Sequence, residues 1–144
     1  MYKHILIATD GSELAFKAVE TGAALAKALQ SKVTIITASE PWRGMMMGEP
    51  AFAFPIEEYE KSAAETAAHI LGQAAAVAKR AGVACETVHV LDFPAEAIIA
   101  TAKQKGCDLI VMASHGRRGI ARALLGSQAM RVVTLSSTPV LICR

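Results

Sequence analysis

Two short segments carry residue types suited to holding an anion. One is Asp10-Gly11-Ser12, which follows an apolar run ending in Ala8-Thr9. The other is Ser114-His115-Gly116-Arg117-Arg118-Gly119, which follows the run Asp108–Ala113. Gly116 and Gly119 let backbone N–H groups approach an anion with no Cβ in the way. Nine residues separate Gly116 from Gly126, and Ser127 follows at the start of a helix-like stretch. N–H groups and the helix dipole favour phosphate at such a start. Arg117, Arg118 and Arg122 add positive charge nearby.

The chemistry suggested is binding rather than bond breaking. There is no GxxxxGK[ST] loop, no GxGxxG after the first strand and no HExxH. No Ser/His/Asp set or carboxylate pair can be argued from spacing. Each candidate also has an ordinary structural reading. Asp10 could cap a helix, with Glu13 completing a capping box. Ser127 could be an N-cap, Gly116 and Gly119 could shape a turn, the arginines could be solvated, and His115 could be a hydrogen-bonded loop residue. Whether they form a site depends on whether the surrounding elements bring them together.

Those elements alternate. Lys3–Thr9 is apolar and β-branched toward its end, as expected of a strand buried on both faces. Leu14–Gln30 is Ala- and Lys-rich and predicts a helix. Lys32–Ala38 predicts a second strand. An irregular stretch, Ser39–Pro55, then carries Pro41, Gly44, Gly48, Pro50 and the run Met45–Met47; its length suits a functional or adaptable loop. From Ile56 to Ala81 the residues Ile56, Tyr59, Ala63, Ala67, Ile70, Ala74, Val77 and Ala81 step by three or four, which predicts one apolar helical stripe. Gly82 stops it. Val83–Val90 is a third strand, Pro94 opens a helix through Lys105, and Asp108–Ala113 is a fourth strand. Gly126-Ser127 enters a last helix to about Ser136, and Pro139–Cys143 is a fifth strand.

Strand–helix alternation of this kind predicts one α/β domain over residues 1–144, a three-layer, open, five-stranded parallel sheet of Rossmann-like type. Ligands of such sheets lie beyond the carboxyl ends of the strands, where strand order reverses. In the order 3-2-1-4-5 that point falls between strands 1 and 4. Both candidate segments would then line one crevice.

Composition narrows the partners. A chain of 144 residues can bury a core without disulfide or metal staples. Aromatic residues are only 5%, so the apolar share of 53% is mostly small and aliphatic, suiting helices packed closely on a sheet. The net charge of +2 is too small to imply a nucleic-acid partner, and no apolar run reaches bilayer length. Met1 leads into a strand-like segment with no leader pattern, so the expectation is a soluble cytoplasmic protein. Cys85, Cys107 and Cys143 form no CxxC pair or zinc spacing and are expected to be buried, reduced thiols; the four histidines form no ligand pair.

Asp10-Gly11-Ser12 after strand 1, the Gly116–Gly126-Ser127 spacing and the ending Ser-Thr-Pro-Val-Leu-Ile-Cys-Arg together resemble the universal stress protein family, over the whole chain. That family's ATP-binding pattern is Gly, two residues, Gly, nine residues, Gly, then Ser or Thr. Here Ala113 stands at the first glycine, which adds a methyl and removes freedom at positive φ. The resemblance implies an adenine nucleotide alpha hydrolase-like fold and an ATP site, with Mg²⁺ often accompanying the triphosphate. It implies that Asp10 and the backbone of Ala8 and Thr9 contact adenine and ribose, and that Ala38 offers backbone atoms to the adenine. Gly116, Gly126, Ser127 and the Gln128 N–H would hold the phosphates, with Met112, Ala113, His115 and Arg117 completing the nucleotide-binding set. It further implies a stress-response role with slow or absent ATP turnover, and a homodimer through strand 139–143. Two rivals remain: an interaction module of the same fold that uses no nucleotide, favoured by Ala113, and a related ATP pyrophosphatase, whose Ser-Gly-Gly loop is here replaced by Asp10-Gly11-Ser12.

Overall fold

The computed structural model describes residues 1–42, 55–116 and 125–144. Its elements alternate as β1 (His4–Ala8), α1 (Glu13–Leu29), β2 (Lys32–Ser39), α2 (Ile56–Arg80), β3 (Cys85–Leu91), α3 (Pro94–Lys105), β4 (Leu109–Ala113), α4 (Ser127–Leu135) and β5 (Val140–Cys143). The strands form one sheet in the order β3-β2-β1-β4-β5, and every pairing is parallel. The sequence expectation for class, strand order and element count in these regions is borne out, with ends shifted by one or two residues.

Period-two alternation sorts the strand side chains onto two helical layers. Ile5, Ile7, Val33, Ile35, Leu109 and Val111 face α1 and α2, where they meet Val19, Ala26, Leu71, Ala74 and Val77. Leu6, Ala8, Ile36, Ile110 and Met112 face α3 and α4, where they meet Ala95, Ile98, Ala102, Ala129 and Val132. The central strands β1, β2 and β4 are buried almost throughout; β4 is buried at all five positions. That is why they read as continuous apolar runs rather than alternating ones.

Three local features differ from expectation. The α1 cap is Ser12, whose Oγ accepts from the Ala15 N–H at 3.2 Å; Asp10 is not the N-cap, because α1 begins at Glu13 and Asp10 lies two residues before the cap. Gln30 ends α1 in the left-handed region at φ +56°, its N–H donating back to the last turn. In α2 the buried residues are Ala67, Leu71, Ala74, Val77 and Ala78, whereas Ile56, Tyr59, Ala63 and Ile70 of the expected stripe are only half-buried. A helix of 25 residues is about 38 Å long, whereas an eight-residue strand spans about 26 Å, so its first turns overhang the sheet.

The three cysteines are free. Cys107 is buried, and burial pushes its thiol up to about 11, so it is a thiol and no nucleophile at neutral pH. Cys85 and Cys143 are only half-buried, and burial raises both. Among the described residues no helix is long and apolar enough to cross a membrane, and no group of three or more His, Cys, Asp or Glu could hold a metal ion.

Candidate functional site

Strand order reverses between β1 and β4, since β2 and β3 lie to one side and β5 to the other. The segments leaving β1 and β4 therefore diverge to opposite sides of the sheet, and a cleft opens between them at the carboxyl ends. It measures about 600 Å³. Ala8, Thr9, Asp10, Ala38, Met112, Ala113, His115, Gly116, Gly126, Ser127 and Gln128 all line it. Eleven of the twelve residues expected from the sequence thus meet in one place. The twelfth, Arg117, lies outside the described residues, as do Arg118, Gly119, Arg122 and the Met45–Met47 run.

The wall after β1 is a tight turn built by short polar side chains. Thr9 Oγ1 accepts from the Gly11 N–H at 3.2 Å, and Asp10 Oδ1 accepts from the Ser12 N–H at 2.9 Å. Gly11 sits at φ +80°, which only glycine adopts freely. The Thr9 N–H donates to Ile36 O at 2.9 Å, tying the turn to β2. Opposite lies Gly116. A Cβ there would stand 2.6 Å from Asp10 Oδ2, so the Asp10 carboxylate and the Gly116 backbone approach closely only because residue 116 has no side chain.

The wall after β4 turns on Ser114. Its N–H donates to Cys143 O at 2.8 Å, and its carbonyl accepts from the Gly126 N–H at 2.7 Å. Its Oγ lies 3.0 Å from His115 Nδ1, which orients the imidazole. The Nε2 of that ring is buried and has no hydrogen-bond partner among the described residues. Ser114 is itself buried at 3% exposure, and its hydroxyl orients the neighbouring imidazole.

The floor is the N-terminus of α4. Gly126, not Ser127, is the N-cap residue, at φ −66° and ψ 161°, and no side chain caps this helix. The first intrahelical bond runs from Met130 N–H to Gly126 O. The N–H groups of Ser127, Gln128 and Ala129 therefore have no acceptor within the helix, and all three residues line the cleft. An uncapped first turn with its dipole aimed at a cavity is an anion seat. Gly126 is required there by closeness: a Cβ would meet Ser114 O at 3.1 Å and His115 Cα at 3.3 Å.

Ala113 proves harmless to this arrangement. It ends β4 in register with Cys143, so its backbone is extended, and Gln30 is the only non-glycine with positive φ among the described residues. Its methyl packs against Ala15 and Ala18 of α1. The expected loss of freedom at positive φ therefore does not arise, because the position never uses it. Ala113→Gly should leave ligand affinity within about two-fold while lowering stability by ~1 kcal/mol through lost packing and added chain entropy. Parallel titration and thermal melts of the variant check both.

Residues that the sequence reading did not assign to the site also line the cleft, among them Ile36, Glu40, Pro94 and Ile98. Two periodicities point to them. Ile36 and Glu40 share the face of Ala38 at spacing two, and Ile98 lies one helical turn beyond Pro94. Ile36, Ile98 and Met112 make an apolar wall suited to a flat heterocycle. The Tyr59 hydroxyl donates to Glu40 O at 2.6 Å and anchors α2 to this rim.

Comparison with known proteins places this geometry in a wider set. The universal stress protein family model matches residues 1–144. The chain is 37% identical over 145 residues to the universal stress protein in the QAH/OAS sulfhydrylase 3′ region of Thermus aquaticus, covering the whole of both chains. Among solved structures, a universal stress protein in complex with cAMP superposes with a TM-score of 0.71 at 29% identity, covering 99% of this chain and 97% of that one. The universal stress protein UspA from Lactobacillus plantarum superposes with a TM-score of 0.87 at 23% identity, covering 99% and 98%, which shows the shared fold.

Proposed function

The chain belongs to the universal stress protein family, and from that premise we propose that it binds an adenine nucleotide in the cleft between β1 and β4. The observation that carries the reading is the uncapped N-terminus of α4, held open opposite Asp10 by two side-chain-free positions, Gly116 and Gly126. In this reading the phosphates lie on the N–H groups of Ser127, Gln128 and Ala129. Ribose lies against Asp10 and the Ala8-Thr9 backbone, and the adenine enters the wall of Ile36, Ile98 and Met112 beside the Ala38 backbone. The cAMP-bound structural neighbour supports an adenine nucleotide as the ligand class.

ATP is the proposed form. Mg²⁺ would be carried in on the triphosphate's own oxygens, since the described residues offer no ligand cluster of their own. The protein acts as a cytoplasmic, nucleotide-dependent regulator in stress response, with ATP hydrolysis slow or absent, and pairs as a homodimer through strand 139–143. A module that uses no nucleotide loses part of its motivation, because Ala113 does not strain the backbone.

Calorimetric titration with Mg-ATP tests the reading. Saturation at 100 times Kd should stabilise the fold by about 2.7 kcal/mol, roughly 6 to 10 °C in Tm. No heat and no thermal stabilisation at millimolar ATP would sink it.

A further inference from the structure

Three helices begin beside the cleft: α1 is capped by the Ser12 side chain, which accepts from the Ala15 N–H, and of α3 and α4 only one is free to take an anion. In α3 the first residue, Pro94, has no N–H. The second, Ala95, is fully buried, and its N–H donates to Oε1 of Gln128 at 3.1 Å, a residue 33 positions away on α4. The third, Glu96, places a carboxylate in the first turn, and that carboxylate pairs with Arg131, one turn beyond Gln128. Phe93 supplies no side-chain cap. The first turn of α3 thus has no N–H at its first position, an answered one at its second and an anionic side chain at its third, which disfavours a phosphate there. In α4 the corresponding N–H groups are left open.

We infer that the Gln128 side chain is a positioning residue that closes the α3 N-terminus and braces α4 against it, so that the nucleotide's phosphate is directed to α4 alone. The backbone and the side chain of Gln128 then have separate tasks. The N–H is open to the cleft, whereas the amide carbonyl points away to Ala95. The geometry explains why this position carries a long acceptor: from the second residue of α4 it must span to the second residue of α3. Loss of that bond would leave a buried N–H unanswered and remove the link fixing the angle of the α4 first turn. The inference rests on the nucleotide reading above and adds to it a reason for phosphate selectivity.

The test uses the full chain, with adenosine, AMP and Mg-ATP as probes. Gln128→Met keeps the size and removes the acceptor. It should weaken AMP and Mg-ATP by about ten-fold and adenosine by less than about two-fold, because only the phosphate seat is disturbed. Amide exchange at Ala95 in the ligand-free protein should quicken in Gln128→Met. It should return to the wild-type rate in Gln128→Glu, whose carboxylate accepts the same bond. Gln128→Glu should still bind Mg-ATP weakly, because it adds negative charge beside the phosphates. Unchanged AMP affinity in Gln128→Met, an equal loss for adenosine and AMP, or Ala95 exchange that ignores the acceptor would each overturn the inference and leave the nucleotide reading intact. A wild-type protein that binds none of the three probes overturns the nucleotide reading and this one with it.

Discussion

Gly126→Val should abolish nucleotide binding, with affinity for Mg-ATP falling at least about 100-fold, or ~2.7 kcal/mol. The reason is spatial rather than conformational. At φ −66° and ψ 161° the backbone of residue 126 is acceptable to any amino acid. A Cβ alone, however, would meet the Ser114 carbonyl oxygen at 3.1 Å, His115 Cα at 3.3 Å and His115 Cδ2 at 3.5 Å. Two of those atoms are backbone of the segment leaving β4 and cannot swing aside as a side-chain tip would. The two γ-methyls of valine extend further still. Relief must come from moving the start of α4 away from Ser114, which breaks the 2.7 Å bond from the Gly126 N–H and tilts the open N–H groups off the phosphate. Because the strain is local, stability should fall by only about 1 to 3 kcal/mol. Gly126→Ala should lie between, since a shift of a few tenths of an ångström accommodates one carbon. Thermal melts beside calorimetry separate the two effects. A folded Gly126→Val protein with wild-type affinity would show that the phosphates do not rest on α4.

Much of this site was legible in the sequence because it depends on backbone, and backbone demands leave a residue-type signature. Gly116 and Gly126 announce close approach, Pro94 announces a helix start, and the buried strands announce the sheet that orders them. What the sequence left ambiguous was which of two equivalent residues performs a local task. Asp10 and Ser12 are both good helix caps; the choice of Ser12 follows from where α1 begins, which depends on the left-handed turn at Gly11. Gly126 and Ser127 posed the same question, and with Gly126 at the cap the serine becomes the first helical residue. At Ala113 the expectation of positive φ fails for a different reason. A glycine in a family pattern does not say whether it is needed for φ or for space. Here it is not needed for φ, since the position ends a strand, and the methyl packs beside Ala15 and Ala18 at the edge of the cleft. The Gln128–Ala95 bond left no trace at all: it joins residues 33 apart, and only the packing of α3 beside α4 creates it.

A second large effect is expected at the far edge of the sheet. Leu141→Lys should convert a dimer of about 30 kDa to a monomer of 15.2 kDa in light scattering at micromolar concentration. The sheet has two edges, and they are not alike. β3 carries Glu86, Thr87 and His89, and Glu86 pairs with Lys105 at 2.9 Å, so this edge is polar and charged in the manner that discourages pairing. β5 is Val140-Leu141-Ile142-Cys143, with no charge within the strand, and among the described residues it is hydrogen-bonded to β4 on one side only. Leu141 is 37% exposed. On the opposite face of β5, α4 leaves Met130 and Val133 nearly half exposed, so both faces at this edge present apolar side chains. An unpaired apolar edge of this kind is satisfied most simply by its own copy across a two-fold axis. The choice of variant matters, because Ile142 packs inward against the α3–α4 layer and a lysine there would unfold the strand rather than part a seam. Leu141 points away from that layer, so its replacement tests pairing alone. The dimer dissociation constant should rise at least about 100-fold, since a charged side chain would be buried without a partner at the seam. Circular dichroism should remain that of the parent. A wild-type mass of 15.2 kDa would sink the dimer itself, and a Leu141→Lys protein that stays dimeric would move the interface off β5.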